Sequence, residues 1–355
     1  MKRRRLRPPA AAALLAALLA AWAVGAGRAT AAGEAPVPKA FRPPAAWELS
    51  APLIAPVERP EDPYVSVKDP TIVRQDGVWH VFMTIRPKGH TPIEYVSFDR
   101  WENANRSPRH VLAVREKYFC APQVFYFRPH QKWYLVYQVG EPNRRLQHQP
   151  AYSTTKTIGD PASWTKTQLF FPDDDPPSRT KAGLDYWIIC DAERAYLFYT
   201  SLDGTMWRMW TPLKDFPNGF DHCEKALEAD VFEASHTYRL KGLNQYLTII
   251  EAGQSGRRYY KAYLADRLDG RWHPVADTEA KPFAGAANVR PAEGVPLWTD
   301  NISHGELIRD GVDETMTVDP DDLRLVFQGV LQKDKPGTYG LIPWRIGMLT
   351  PAKAE

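Results

Sequence analysis

The sequence predicts an all-β chain folded as a five-bladed β-propeller, and three observations carry the prediction. Helical periodicity is nearly absent; short aromatic and β-branched runs alternate with Gly, Pro, Asn and Asp. These runs recur in a fixed order within a unit of roughly 50 to 65 residues, the mark of a repeat architecture. The first strand of three units opens with an acid, in Lys68-Asp69-Pro70, Leu184-Asp185-Tyr186 and Phe232-Glu233-Ala234, while a fourth, Ala121-Pro122-Gln123, carries a glutamine instead. A β-sandwich is the alternative, but it leaves the repeated order unexplained.

The elements follow in chain order. Residues 1–31 read as a secretory signal peptide: Arg3, Arg4, Arg5 and Arg7 precede a short Ala/Leu run, and Ala29-Thr30-Ala31 offers small residues for cleavage. The run is shorter than the ~20 apolar residues of a membrane span. This leader holds six Lys or Arg and no acid. They exceed the +3 net charge of the whole chain, so the remainder is net negative and carries no nucleic-acid footprint. Residues 32–46, rich in Ala and Pro, read as a linker, and 47–350 as one domain followed by a short tail. Second strands are expected at 78–85, 133–139, 195–200, 245–251 and, after an insertion, 323–328. Third strands are expected at 93–98, 151–154, 205–210, 258–265 and 344–349. Fourth strands open on Trp101, Trp164 and Trp272, with a weaker match near Phe220. The fifth unit runs out of chain, and Trp47-Glu48-Leu49-Ser50 supplies its last strand, closing the ring and removing exposed sheet edges. Three cysteines are too few for a disulfide framework.

The counts from Asp69 to Trp79, Asp185 to Tyr196 and Glu233 to Tyr246 are similar, which predicts equivalent places for the three acids around the axis. Clustered carboxylates cost electrostatic free energy and suit glycoside hydrolysis, where one acid protonates the leaving oxygen and one carboxylate activates water. Glu233 has the longer reach and suits the acid; Asp69, beside Lys68, stays ionised and suits the base; Asp185 raises the acid's pKa. His304 falls where the other units carry axial residues. It reads either as a satisfied core histidine or as a ligand to a hydrated cation in the channel. No phosphate loop, G-x-S-x-G or H-E-x-x-H appears, so nucleotide, serine-hydrolase and zincin chemistries have no support.

At these segments the chain resembles glycoside hydrolase family 62, the α-L-arabinofuranosidases acting on arabinoxylan, in the clan shared with family 43. The likeness spans about 47–350. It rests on Lys68-Asp69-Pro70, Ala121-Pro122-Gln123-Val124-Phe125-Tyr126-Phe127, Asp185-Tyr186-Trp187-Ile188-Ile189-Cys190-Asp191, Phe232-Glu233-Ala234-Ser235 and Ile302-Ser303-His304-Gly305-Glu306. The resemblance implies an inverting mechanism releasing L-arabinose, with Asp69 as general base, Glu233 as general acid and Asp185 as pKa modulator. It implies substrate contacts at Lys68, Gln123, Trp187, Tyr339 and Arg345, and a structural calcium ion at His304. Where the family usually reads Tyr-Asn-Ala-Leu-Pro-Tyr-Arg, this chain reads Tyr339-Gly340-Leu341-Ile342-Pro343-Trp344-Arg345. The expected protein is secreted and monomeric, binding arabinoxylan or another arabinosylated polysaccharide, with no nucleic-acid or membrane partner after leader removal. A β-xylosidase or arabinanase of the family 43 type, and a non-catalytic glycan-binding propeller, stay open as alternatives.

Overall fold

The computed structural model describes residues 40–87, 89–173 and 180–353. The expected leader, residues 32–39 of the expected linker, and 354–355 of the tail lie outside the described residues. Blade 1 comprises Val67–Gln75, Val78–Ile85, Ile93–Phe98 and Arg109–Val111; blade 2 comprises Phe119–Phe127, Lys132–Gly140, His148–Thr155 and Gln168–Leu169. Blade 3 comprises Leu184–Cys190, Arg194–Thr200, Thr205–Pro212 and His222–Glu228. Blade 4 is built on His236–Leu240, Tyr246–Ala252, Tyr259–Ala265 and His273–Thr278. Blade 5 is built on Asn301–Leu307, Leu325–Val330 and Arg345–Pro351. These strands form a five-bladed β-propeller, antiparallel within each blade, as the repeat predicts.

Burial falls from the axis outward. Asn301–Leu307 is buried along its whole length, whereas His273–Thr278 is mostly exposed. Strands covered on both faces read as unbroken apolar runs, and that is why the inner strands stand out in the sequence. The expected tryptophan start of the fourth strand holds only for Trp272, which directly precedes His273–Thr278. Trp101 lies in a 3-10 turn and Trp164 precedes Gln168–Leu169. Both pack as aromatic core instead: Trp101 against Trp79, and Trp164 edge-on against Phe82 of the neighbouring blade.

The ring closes as expected. Trp47–Leu49 pairs antiparallel with Arg345–Pro351 and parallel with Val289–Pro291. Trp47 is fully buried, and its indole N–H donates to the Phe283 carbonyl at 2.5 Å. The fold extends into the expected linker, because Phe41 is apolar and buried in the main core.

A local backbone device sets the site. The inner strands of blades 1 to 3 break register near their start, and Asp69, Ala121 and Asp185 there adopt left-handed φ angles of 50°, 50° and 58°. Ala234, just before the inner strand of blade 4, does the same at 53°. Such a conformation costs about 1–2 kcal/mol for an L-residue, and each kinked amide is held by a side chain reaching across from the preceding blade. Asp69 N–H donates to Gln328 (2.7 Å), Ala121 N–H to Thr84 (2.9 Å), Asp185 N–H to Gln138 (3.4 Å) and Ala234 N–H to Asp185 itself (3.0 Å).

The opposite end of the channel is closed by the insertion of blade 5. Its backbone bonds the inner strands of blades 2, 3 and 4: Tyr126 N–H donates to Val312 O, Cys190 N–H to Glu314 O, and Arg239 N–H to Met316 O. Buried Arg309 pairs with Glu306 at 2.7 Å and donates to the carbonyls of Ile72 and Val124. The channel is therefore a blind pocket.

Candidate active site

A cavity of about 400 Å³ opens where the inner strands begin, lined by Lys68, Asp69, Asp185, Glu233, Arg258, His304 and Tyr339 among others. All three predicted acids meet there, but their backbone places are not all equivalent. Asp69 and Asp185 occupy the left-handed position; Glu233 comes one residue earlier, in the place of Lys68, and the left-handed position of its blade is Ala234. The extra methylene of glutamate lets that displaced position still reach the cavity. In blade 2 the equivalent residue is Ala121, so Gln123 is two positions further along and points elsewhere.

Asp69 receives the Lys68 ammonium at 3.0 Å, and His304 Nδ1 lies 3.4 Å from its other oxygen. Burial alone would raise the Asp69 pKa; the Lys68 charge, His304 and hydrogen bonds from Lys68 and Thr84 outweigh it and hold the carboxyl below the usual range. Burial would likewise discharge Lys68, but the Asp69 charge holds it ammonium. Asp185 lies 3.7 Å from His304 Nδ1. Burial first, then the charges of Glu233 and Asp69, raise the Asp185 pKa well above normal. Glu233 is raised to about 7, by burial first and then by Glu251, against the opposing pull of Arg258. The Asp185–Glu233 pair therefore keeps a proton near neutral pH while Asp69 stays ionised.

Of the expected substrate contacts, Lys68 and Tyr339 line the cavity, the Tyr339 hydroxyl 3.5 Å from the Lys68 ammonium. Gln123 is not among the lining residues: its amide is spent on both backbone groups of Ile188 in the next blade, at 2.6 and 2.7 Å. Trp187 is buried between blades, its indole N–H on Thr237 O at 2.8 Å and its ring stacked on His236. Arg345 is exposed on the third strand of blade 5, opposite Gly329, away from the lining. Gln123 and Trp187 are thus engaged between blades, and Arg345 lies outside the cavity lining.

Two residues that the sequence reading passed over support Glu233. Arg258 donates to Glu233 at 2.9 Å and also pairs with Glu251. Glu251, fully buried, accepts the His304 amide at 2.7 Å and the Ser303 hydroxyl at 2.8 Å. An acid ending the apolar run Tyr-Leu-Thr-Ile-Ile was the available signal, since an unpaired buried glutamate is rare. Cys120 also lines the cavity, but burial, followed by the Asp69 charge, pushes its thiol up to about 12, so it is no thiolate nucleophile. All three cysteines are free.

His304 itself is buried, and burial, outweighing the Asp69 charge, holds its pKa below the ordinary histidine value. Among the described residues no group of three or more His, Cys, Asp or Glu side chains is arranged to hold a metal.

Known proteins share this architecture. The family model described as glycosyl hydrolase family 62 matches residues 51–350. Alpha-L-arabinofuranosidase C of Cellvibrio japonicus (strain Ueda107) is 39% identical over 319 residues, covering 87% of this chain and 47% of that protein. The chain thus spans about half the length of this curated relative. The catalytic domain of the Coprinopsis cinerea family 62 α-L-arabinofuranosidase superposes with a TM-score of 0.80 at 36% identity, covering 87% of this chain and 98% of the other. A family 62 hydrolase solved with xylotriose gives a TM-score of 0.78 at 36% identity, over 86% and 97% of the two chains. With the strand order, the blind pocket and its three carboxylates already in place, the match over nearly the whole propeller means that this chain belongs to glycosyl hydrolase family 62.

Proposed function

We propose that this protein is a secreted, monomeric, exo-acting and inverting α-L-arabinofuranosidase that removes L-arabinofuranosyl side chains from arabinoxylan or a related arabinose-bearing glycan. One observation carries the reading: a single blind cavity holds an ionised carboxylate beside a lysine and, separately, a proton-retaining carboxyl pair. Asp69 takes a proton from water as the water oxygen bonds to the anomeric carbon. The glycosidic C–O bond breaks, and the departing oxygen takes the proton of Glu233. Asp185, whose own pKa the Glu233 charge helps to raise, shares a retained proton with Glu233 and, through the Ala234 amide, fixes the segment that carries it. Lys68 and Tyr339 would hold the sugar hydroxyls. A pocket closed at its far end suits a terminal sugar and not the middle of a chain. A family 62 relative was solved in complex with xylotriose, which supports a xylan main chain as the bearer of the arabinose.

For the calcium ion expected at His304, the support is one imidazole in the channel wall. Water would have to complete the six to eight ligands that calcium takes, and no step above runs through it. Dialysis against EDTA should lower the melting temperature and added calcium restore it; an unchanged melting curve removes the ion from this reading.

Digestion of wheat arabinoxylan followed by proton NMR tests the whole proposal. L-arabinose is expected as the sole product, appearing first as the β-anomer. Xylose or arabino-oligosaccharides as main products would reject the specificity, early α-anomer would reject inversion, and binding without turnover would indicate a lectin. N-terminal sequencing of exported protein tests cleavage after Ala31.

A further inference from the structure

A second cavity of about 520 Å³ adjoins the catalytic pocket and shares Arg86, Thr91 and Tyr118 with it. Arg86 stands at the junction, half-buried, and none of the ion pairs or hydrogen bonds among the described residues engages its guanidinium. Gly340 lies beside it. A β-carbon there would come within 3.2 Å of the guanidinium carbon and of one terminal nitrogen, so the absent side chain leaves the fork room. Gly340 follows Tyr339, which touches Lys68, so the fork is one residue from the sugar-binding edge of the catalytic pocket. Lys117 lines the same second cavity, where the described residues also contribute one acid, Glu116. His90 is there too, already paired with Asp62 at 3.5 Å.

Resting on the arabinofuranosidase reading of the adjoining pocket, we propose that Arg86 forms a subsite for a carboxylate-bearing sugar, a uronic acid substituent near the arabinose to be removed. A planar, half-buried guanidinium with no hydrogen-bond or ion-pair partner among the described residues matches a carboxylate bidentately, and a neutral hydroxyl uses only part of that geometry. Lys117 adds a second cation to the same lining, and with Arg86 and Glu116 leaves these three side chains net positive toward an acidic glycan. Neutral arabinoxylan still binds through the catalytic pocket; the acidic decoration adds affinity.

The test compares binding of a xylo-oligosaccharide carrying one uronic acid with that of its carboxyl-reduced counterpart, by titration calorimetry on the intact protein. The acidic ligand should bind about tenfold more tightly, and the preference should shrink as salt rises. Arg86→Gln should abolish the preference, Arg86→Lys should keep part of it, and Gly340→Gln, which crowds the guanidinium, should reduce it. Equal affinity for the two ligands, or an Arg86→Gln loss equal on both, overturns the proposal. Arabinose release from neutral arabinoxylan is scored separately. Cleavage without acid preference removes this subsite alone, whereas acid preference without cleavage removes the arabinofuranosidase reading alone.

Discussion

Asp69 and Glu233 differ less in chemistry than in company. A lysine beside Asp69 keeps it charged, and burial with Glu251 nearby keeps Glu233 protonated. The rate should therefore fall as pH rises through about 7, where Glu233 loses its proton. The acid limb should lie below the ordinary aspartate range, set by the depressed Asp69. Replacing Glu251 by Gln removes a negative charge and leaves Arg258 to Glu233 alone, both of which favour the glutamate anion. The alkaline limb of the kcat/KM profile should move to lower pH by about one pH unit, and an unmoved limb would sink this account of the pKa. Asp69→Ala and Glu233→Gln should each lower kcat by about 10²–10⁴-fold with the fold intact by circular dichroism. The same groups affect stability with opposite signs. Asp69 contributes stability above the usual aspartate pKa that is lost as pH falls through its depressed value. Glu233 costs stability that grows between about 4.5 and about 7. Wild type should thus lose melting temperature across that interval more steeply than Glu233→Gln.

The kinked start of each inner strand is the element on which the site depends. Its energy cost is offset by side chains at one recurring place near the end of the second strand: Thr84, Gln138 and Gln328. Glu251 plays the same part toward the His304 amide. In blade 3 that place is Thr200, whose buried hydroxyl has no partner among the described residues, and Asp185 holds the Ala234 amide instead. A catalytic-pocket carboxylate has taken over a structural bond, so Asp185 and Glu233 are mechanically as well as electrostatically linked. Gln328→Ala should leave the buried Asp69 amide unpaired and cost about 1–3 kcal/mol by urea unfolding, together with a fall in kcat. A loss of stability with kcat untouched would show that the kink does not position the base.

For the molecule as a whole, two non-local closures matter more than any one blade. Trp47–Leu49 seals the ring from the far end of the chain, and Trp47→Ala should cost about 3–5 kcal/mol, read as a lower midpoint in denaturant. The insertion of blade 5 laces the inner strands at the other end through Arg309, whose partner Glu306 is fully buried. Arg309→Ala strands that carboxylate and should destabilise by about 3–5 kcal/mol; a change under about 1 kcal/mol would mean the strap is not anchored there.

Strand order, blade count, the closing strand and the three acids were legible in the chain itself, because inner strands buried on both faces and the turns between them leave local marks. Which side chains face the cavity was decided only in three dimensions. A left-handed residue shifts the strand register by one, and such a shift sends a side chain to the opposite face. Gln123 and Trp187 lie two residues beyond the left-handed position of their strands and make contacts between blades, while Arg258 and Glu251, elsewhere in blade 4, come to flank Glu233. The strap beneath the channel left no repeat to read, since its bonds run to backbone groups of other blades, and only the closed ring brings those together.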